Sequence, residues 1–341
     1  MLRMPAPLCA FSKFHMRASI LQFPPLGTNP IGVDFLADIL TRALSFVAII
    51  VLGYILRRIH FFSAEHFGLI SRIVMNITLP CAVIVNFSQM ELKASLLAII
   101  GIGVLCNLIT AGIGYLSAPK RRMQEKAFNM INLSGYNIGT FTMPYAQNFL
   151  GAEGVVCTCL FDVGNALLCT GGTYAIVSGM LNHEKRVGFL SSMKALLRSV
   201  PIWTYLIMLN LTTFHLQLPA PILTFAGLIS PANGFLAMLA IGISIDLHFE
   251  KSQLFSILKL TGIRLAISAA LSVAFFYLLP FSFSVRQTLA IIVFAPASVL
   301  CPVFTKHIDG DVACAGTFNS LSIALSIFIM TTLFVLMNGA F

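Results

Sequence analysis

Apolar runs long enough to cross a bilayer recur from one end of this chain to the other, separated by short polar loops. Hydrocarbon offers no water to exposed N–H and C=O groups, so each run must close its own hydrogen bonds as a helix. Only 10% of the residues are charged, where a soluble domain carries roughly 25%. The expected class is an all-α polytopic membrane protein.

Ten spans are expected, with approximate ends at about 36–56, 66–87, 95–117, 127–150, 155–180, 199–214, 221–245, 255–280, 286–306 and 312–337. Residues 1–32 read differently: they hold Arg3, Lys13 and Arg17, no acid and several prolines. They make no convincing signal peptide, and are read as a disordered extension or a start assigned too far upstream. The remainder divides into a first five-span unit (33–180), a cytoplasmic linker (181–198) and a second five-span unit (199–341).

The net charge of +9 is a topology signal and not a nucleic-acid footprint. Loops after spans one, three, five, seven and nine hold Arg57, Arg58, Lys120, Arg121, Arg122, Lys126, Lys185, Arg186, Lys194, Arg198, Lys251 and Lys306. The opposite internal loops hold Lys93 and Arg286. Positive charge on the inner side puts both termini outside the cytoplasm, in a multi-pass protein of the cytoplasmic membrane. Seven of the eight cysteines fall in spans and none forms a C-x-x-C pair, which excludes disulfides and structural metal as expectations.

The fourth span contains Gly135-Tyr-Asn-Ile-Gly-Thr-Phe-Thr-Met-Pro-Tyr145. Pro144 lacks an N–H and Gly139 weakens a helix, so the expectation is a break between Asn137 and Pro144. Such a break survives only inside protein or along a wet cavity. The ninth span is broken too, in Ala295-Pro-Ala-Ser-Val-Leu-Cys-Pro302. Five spans followed by five must run in opposite senses, and Phe161-Asp162 in span five is echoed by Phe318-Asn319 in span ten. The expectation is therefore two inverted five-helix repeats whose broken helices, four and nine, cross at a midplane site. Half-helix N-termini there would favour a carboxylate. The alternative is two ordinary proline kinks.

Candidate substrate-binding residues are Asn76, Asn137, Gly139, Thr140, Pro144, Pro296, Ser298 and Pro302. Asp162 is the one acid in the body of a span, and an intramembrane carboxylate is by default functional. With Asn165, three residues on, and Asn319 it forms the candidate ion-coupling set, for a proton or sodium; its alternative role is a hydrogen-bonded strut. Arg264, deep in span eight, has three readings: a partner for Asp162, an attractor of anions, or a side chain reaching to the cytoplasmic end. Asn86, Asn107 and Asn210 are expected to bond between helices. A Walker A loop, H-E-x-x-H and a membrane Ser–His pair are absent, so no catalytic residue, metal or cofactor is expected, and the chain is not read as an enzyme.

The residues resemble the auxin efflux carrier family in its short prokaryotic form. The matching stretches are Ile77-Thr-Leu-Pro80, Asn137 seven residues before Pro144, Phe161-Asp-Val-Gly-Asn-Ala-Leu167, Ala240-Ile-Gly-Ile-Ser-Ile245, and Pro296 with Val303-Phe304. The resemblance implies a ten-helix, two-repeat fold shared with sodium/proton antiporters and bile-acid symporters. It also implies elevator-like alternating access and substrate around Asn137 and Pro296. Two departures stand out: the long cytoplasmic loop of many plant members is absent, and no acid or amide accompanies Pro296. The expected function is a secondary active permease for a small organic anion. Its expected partners are that anion, the lipid bilayer and, since elevator proteins are often dimers, a second copy of the chain. The rivals are a sodium-coupled symporter of the bile-acid type and a non-transporting membrane sensor.

Overall fold

The computed structural model describes residues 33–63, 65–90, 93–120, 122–181, 193–194, 196–245 and 253–339. The N-terminal extension, most of the basic linker with Lys185 and Arg186, and the loop residues Arg121 and Lys251 lie outside the described residues. In chain order the helices are α1 (Val33–Arg58), α2 (His66–Ile73), α3 (Leu79–Phe87), α4 (Ala98–Leu116), α5 (Met123–Leu133), α6 (Met143–Phe149), α7 (Gly151–Leu167) and α8 (Thr173–Met180). They continue with α9 (Val200–Thr213), α10 (Ala220–Ile229), α11 (Ala232–Ser244), α12 (Leu254–Leu278), α13 (Phe283–Ile292), α14 (Cys301–His307) and α15 (Val312–Gly339).

Among the described residues, seven stretches are long and apolar enough to cross a membrane: Ala37–Arg58, His66–Phe87, Ala94–Leu116, Gly151–Met180, Ala220–Ser244, Leu254–Leu278 and Val312–Asn338. These occupy seven of the ten expected spans. The other three expected stretches hold shorter pieces: α5 with α6, α9 alone, and α13 with α14. Large apolar side chains such as Phe255 (79% exposed) and Phe328 (70% exposed) point outward, as a surface bathed in lipid allows and one in water does not. The chain is a multi-pass membrane protein.

Two helix pairs approach backbone to backbone because glycines face each other. In α1 and α11, a Cβ on Gly53 would meet Leu239 O at 2.5 Å, and one on Gly242 would collide with Ile50 O. In α4 and α7, a Cβ on Gly103 would strike Phe161 O and one on Gly164 would strike Ile100 O. Small residues allow such approach where no hydrophobic force distinguishes helix from lipid. The second pair carries Asp162 and Asn165 against Asn107.

Two prolines in the spans, Pro80 and Pro144, are accommodated by widened turns rather than by gaps. A π turn at Val74–Thr78 precedes Pro80, and another at Ile138–Thr142 precedes Pro144. Each proline then sits at the first or second residue of the next helix, where its missing N–H costs least. This corrects the expected position of the first break. The chain leaves the helix at residues 134–137, and Gly139 and Pro144 lie in resumed helix.

Candidate functional site

The first break starts where α5 stops. Ser134 is extended (ψ 155°) and Gly135 has φ +83°, which a side chain would resist. A Cβ on Gly135 would also come within 3.2 Å of Ser298 Cβ. Main-chain groups freed here are met by side chains of α4 and α7. Gly135 N–H donates to Asn107 Oδ1 (2.8 Å), and Tyr136 N–H donates to Asn165 Oδ1 (3.0 Å). Asn165 Nδ2 donates back to Tyr136 O (2.9 Å) and to Asp162 Oδ1 (3.0 Å). Asn107 Nδ2 closes the group on Asn165 Oδ1 at 3.2 Å.

The second break, between α13 and α14, is held in a parallel manner by α12 and α15. Ala297 N–H donates to Ser322 Oγ (3.0 Å), while Asn319 Nδ2 donates to Ala297 O and Ser298 O, both at 2.9 Å. Ser268 Oγ donates to Val293 O (2.7 Å). The two breaks meet directly. Tyr136 and Ala297 form an antiparallel bridge, and Asn137 N–H donates to Pro296 O at 2.9 Å.

Asn137 is the polar side chain left incomplete there. Its Oδ1 accepts from Thr140 Oγ1 (2.5 Å), whereas its buried Nδ2 has no partner. An unpaired buried donor costs about 1–3 kcal/mol, and natural structures hold few of them without a reason. Tyr136 OH, buried beside it, is likewise unpartnered. Next to the second break a pocket of about 230 Å³ is lined by Arg57, Ser244, Val299, Pro302, Asn319 and Ser320.

The breaks gather most of the residues expected from sequence. Asn137, Thr140, Pro296 and Ser298 lie at the crossing, and Ser298 Oγ accepts from Cys169 Sγ at 3.0 Å. Pro302 and Asn319 line the adjoining pocket. Gly139 lies one turn away against Met75, and Pro144 lies farther along in α6. Asn76 is exposed on its π turn, whose Met75 packs against Gly139. Asp162 is buried on α7, bonded through Oδ1 to Asn165 and through Oδ2 to Tyr205 OH (3.2 Å).

Arg264 follows none of the three sequence readings in full. It neither pairs with Asp162 nor reaches the helix end; its guanidinium donates to Leu133 O (2.7 Å), Gly135 O (3.1 Å) and Ala295 O (2.9 Å). Lys259, nearer the start of α12, instead lies 3.6 Å from Glu125. Of the three asparagines expected to bond between helices, Asn107 does so, while Asn86 and Asn210 cap carbonyls of their own helices. Tyr205, Ser268 and Ser322 carried no local signal, because a tyrosine or serine in an apolar span is common and its partner lies far along the chain.

No family model matches the chain. Over 293 residues it is 25% identical to a protein of Methanothermobacter thermautotrophicus named an uncharacterized transporter, an alignment that covers 83% of this chain and 93% of that one. Taken with the membrane-spanning helical architecture, this similarity points to a transporter and not to an enzyme.

Proposed function

We propose that this protein is a secondary active permease that carries a small organic anion across the cytoplasmic membrane by alternating access. In this reading ten helices form two inverted five-helix repeats, with α5–α6 and α13–α14 as the crossing fourth and ninth members. Both termini lie outside the cytoplasm. The single observation that carries the proposal is the crossing itself: two interrupted helices joined by main-chain bonds, with the buried Asn137 amide lacking an acceptor. Polar backbone at membrane depth is tolerated where it serves a cavity or a site.

An organic anion supplies the missing acceptor. A carboxylate oxygen on Asn137 Nδ2 would satisfy the donor, and the guanidinium of Arg264 leaves the crossing with positive charge. Arg57 lines the adjoining pocket, which suits the approach of an anion. The similar holding of the breaks, by Asn165 in one half and Asn319 in the other, supports the repeat. Asp162 is the candidate for coupling, with Asn165 and Tyr205 as its partners. The resemblance to auxin efflux carriers supports the same anion class and an elevator-like motion.

Reconstitution into liposomes tests this reading. Labelled mono- and dicarboxylates are offered with and without sodium and pH gradients. The expected result is saturable uptake of at least one anion whose apparent affinity is weakened in Asn137→Ala. Strict sodium dependence of uptake would favour a symporter of the bile-acid type. Ligand binding without flux would favour a membrane sensor and overturn the proposal.

A further inference from the structure

Three carbonyls converge at the crossing from both interrupted segments. Leu133 closes α5, Gly135 follows at positive φ, and Ala295 lies just past α13. Carbonyls at helix ends carry partial negative charge. In discontinuous membrane helices such carbonyls are the ligands of a coupling cation. Here they surround a side chain. Arg264 is 5% exposed, spans all three carbonyls, and lies over the Tyr136 ring with its Cζ 4.9 Å from the centroid. Among the described residues no carboxylate pairs with it.

The geometry points to Arg264 as a tethered cation, whose guanidinium takes the place of a metal ion at the crossing and ties both breaks into one unit. It is a positioning residue. A guanidinium is permanently charged and offers a rigid fork of donors, so it can serve carbonyls that diverge from two separate segments. Unlike a bound ion, it cannot leave during the transport cycle. Ser268, one turn along α12, holds Val293 O at 2.7 Å, so the same helix grips the second break at two points. A free cation is repelled from carbonyls already holding this charge. A coupled ion must then bind elsewhere, and the Asp162 side of α7 is where an acid is present. That last step rests on the carrier reading; the tethered cation does not.

Thermal unfolding of the purified full-length protein tests it without substrate. Wild type, Arg264→Gln and Arg264→Lys are compared in sodium chloride and in N-methylglucamine chloride at matched ionic strength. Gln retains donors but removes the charge, and Lys restores the charge. Wild type and Arg264→Lys should respond to sodium to the same extent. Arg264→Gln should be less stable and should regain about 2 °C or more in sodium, rising with its concentration, as a ligand of the folded state does. An Arg264→Gln protein whose sodium response is no larger than that of wild type overturns the inference. If Arg264→Gln fails to fold, Arg264→Lys still decides: with the charge kept, a sodium response larger than that of wild type overturns the inference and an equal one supports it. Flux measurements are independent, so failure of the carrier reading and failure of this inference are distinguishable.

Discussion

Asn165 grips Tyr136 by both of its main-chain groups, accepting from the N–H at 3.0 Å and donating to the C=O at 2.9 Å. A side-chain amide here does what a neighbouring strand does in a sheet. Asn165→Ala would leave both groups buried and unpaired, at about 1–3 kcal/mol each. The expected outcome is a loss of roughly 2–6 kcal/mol in detergent unfolding together with loss of transport. Full stability in that variant would show that the break is not held this way.

Asn137→Ala should behave in the opposite manner. It removes an Nδ2 that makes no bond and an Oδ1 that accepts from Thr140, so the stability loss should be that of one hydrogen bond, about 0.5–1.5 kcal/mol. Apparent substrate affinity should fall about tenfold or more, the worth of one charge-assisted hydrogen bond. Saturation of uptake in proteoliposomes measures this, and an unchanged KM would remove Asn137 from the site.

Asp162→Asn keeps a partner for Asn165 and Tyr205 while removing the charge. Net movement of one charge is worth about 2.3 kcal/mol per 100 mV. Gradient-driven accumulation should therefore collapse in the variant, while exchange of substrate for substrate persists. Undiminished accumulation would leave Asp162 as a strut.

Cys169 is the one described cysteine that is not buried, and its thiol meets Ser298 at the crossing. A small, membrane-permeant thiol reagent should label it and block transport, and bound substrate should slow the labelling. Cys169→Ser should transport and resist the reagent. Equal sensitivity of the two proteins would place the inhibitory thiol elsewhere.

Gly164→Ala would drive a Cβ into Ile100 O and to 2.9 Å from Val104 N. Helices α4 and α7 would have to separate, carrying Asn107 away from Asn165. Overpacking of this kind costs about 1–3 kcal/mol, and the Asn107–Asn165 bond at 3.2 Å should be lost with it. Thermal unfolding of the variant measures the sum.

The sequence made the long apolar spans legible because their length and lack of charge suffice to identify them. It also pointed to Asp162 with Asn165, whose three-residue spacing puts them on one helix face. The first break was read as lying between Asn137 and Pro144, whereas the chain departs at Ser134–Asn137. Proline is visible in a sequence, but the π turn that absorbs it is not, and the positive φ of Gly135 looks like that of any other glycine. Arg264 was visible as a deep cation, yet its acceptors are main-chain atoms, and a carbonyl's freedom depends on where a helix ends. Asn76 was grouped with the site as a residue of span two near the same cavity; it is exposed on the π turn whose Met75 packs against Gly139.

The grip of Arg264 on Leu133 and Gly135 also sets a schedule for synthesis. These carbonyls precede their guanidinium by 131 and 129 residues. At about 5–20 residues per second, the ribosome needs roughly 6–26 s to deliver it. In the proposed topology the first half of the protein meanwhile carries exposed carbonyls at a depth where lipid cannot satisfy them. It must wait in a hydrated or protein-lined compartment of the insertion machinery. A chain stopped before α12 should accordingly remain extractable and protease-sensitive at Ser134–Asn137, and become resistant only once α12 has been made.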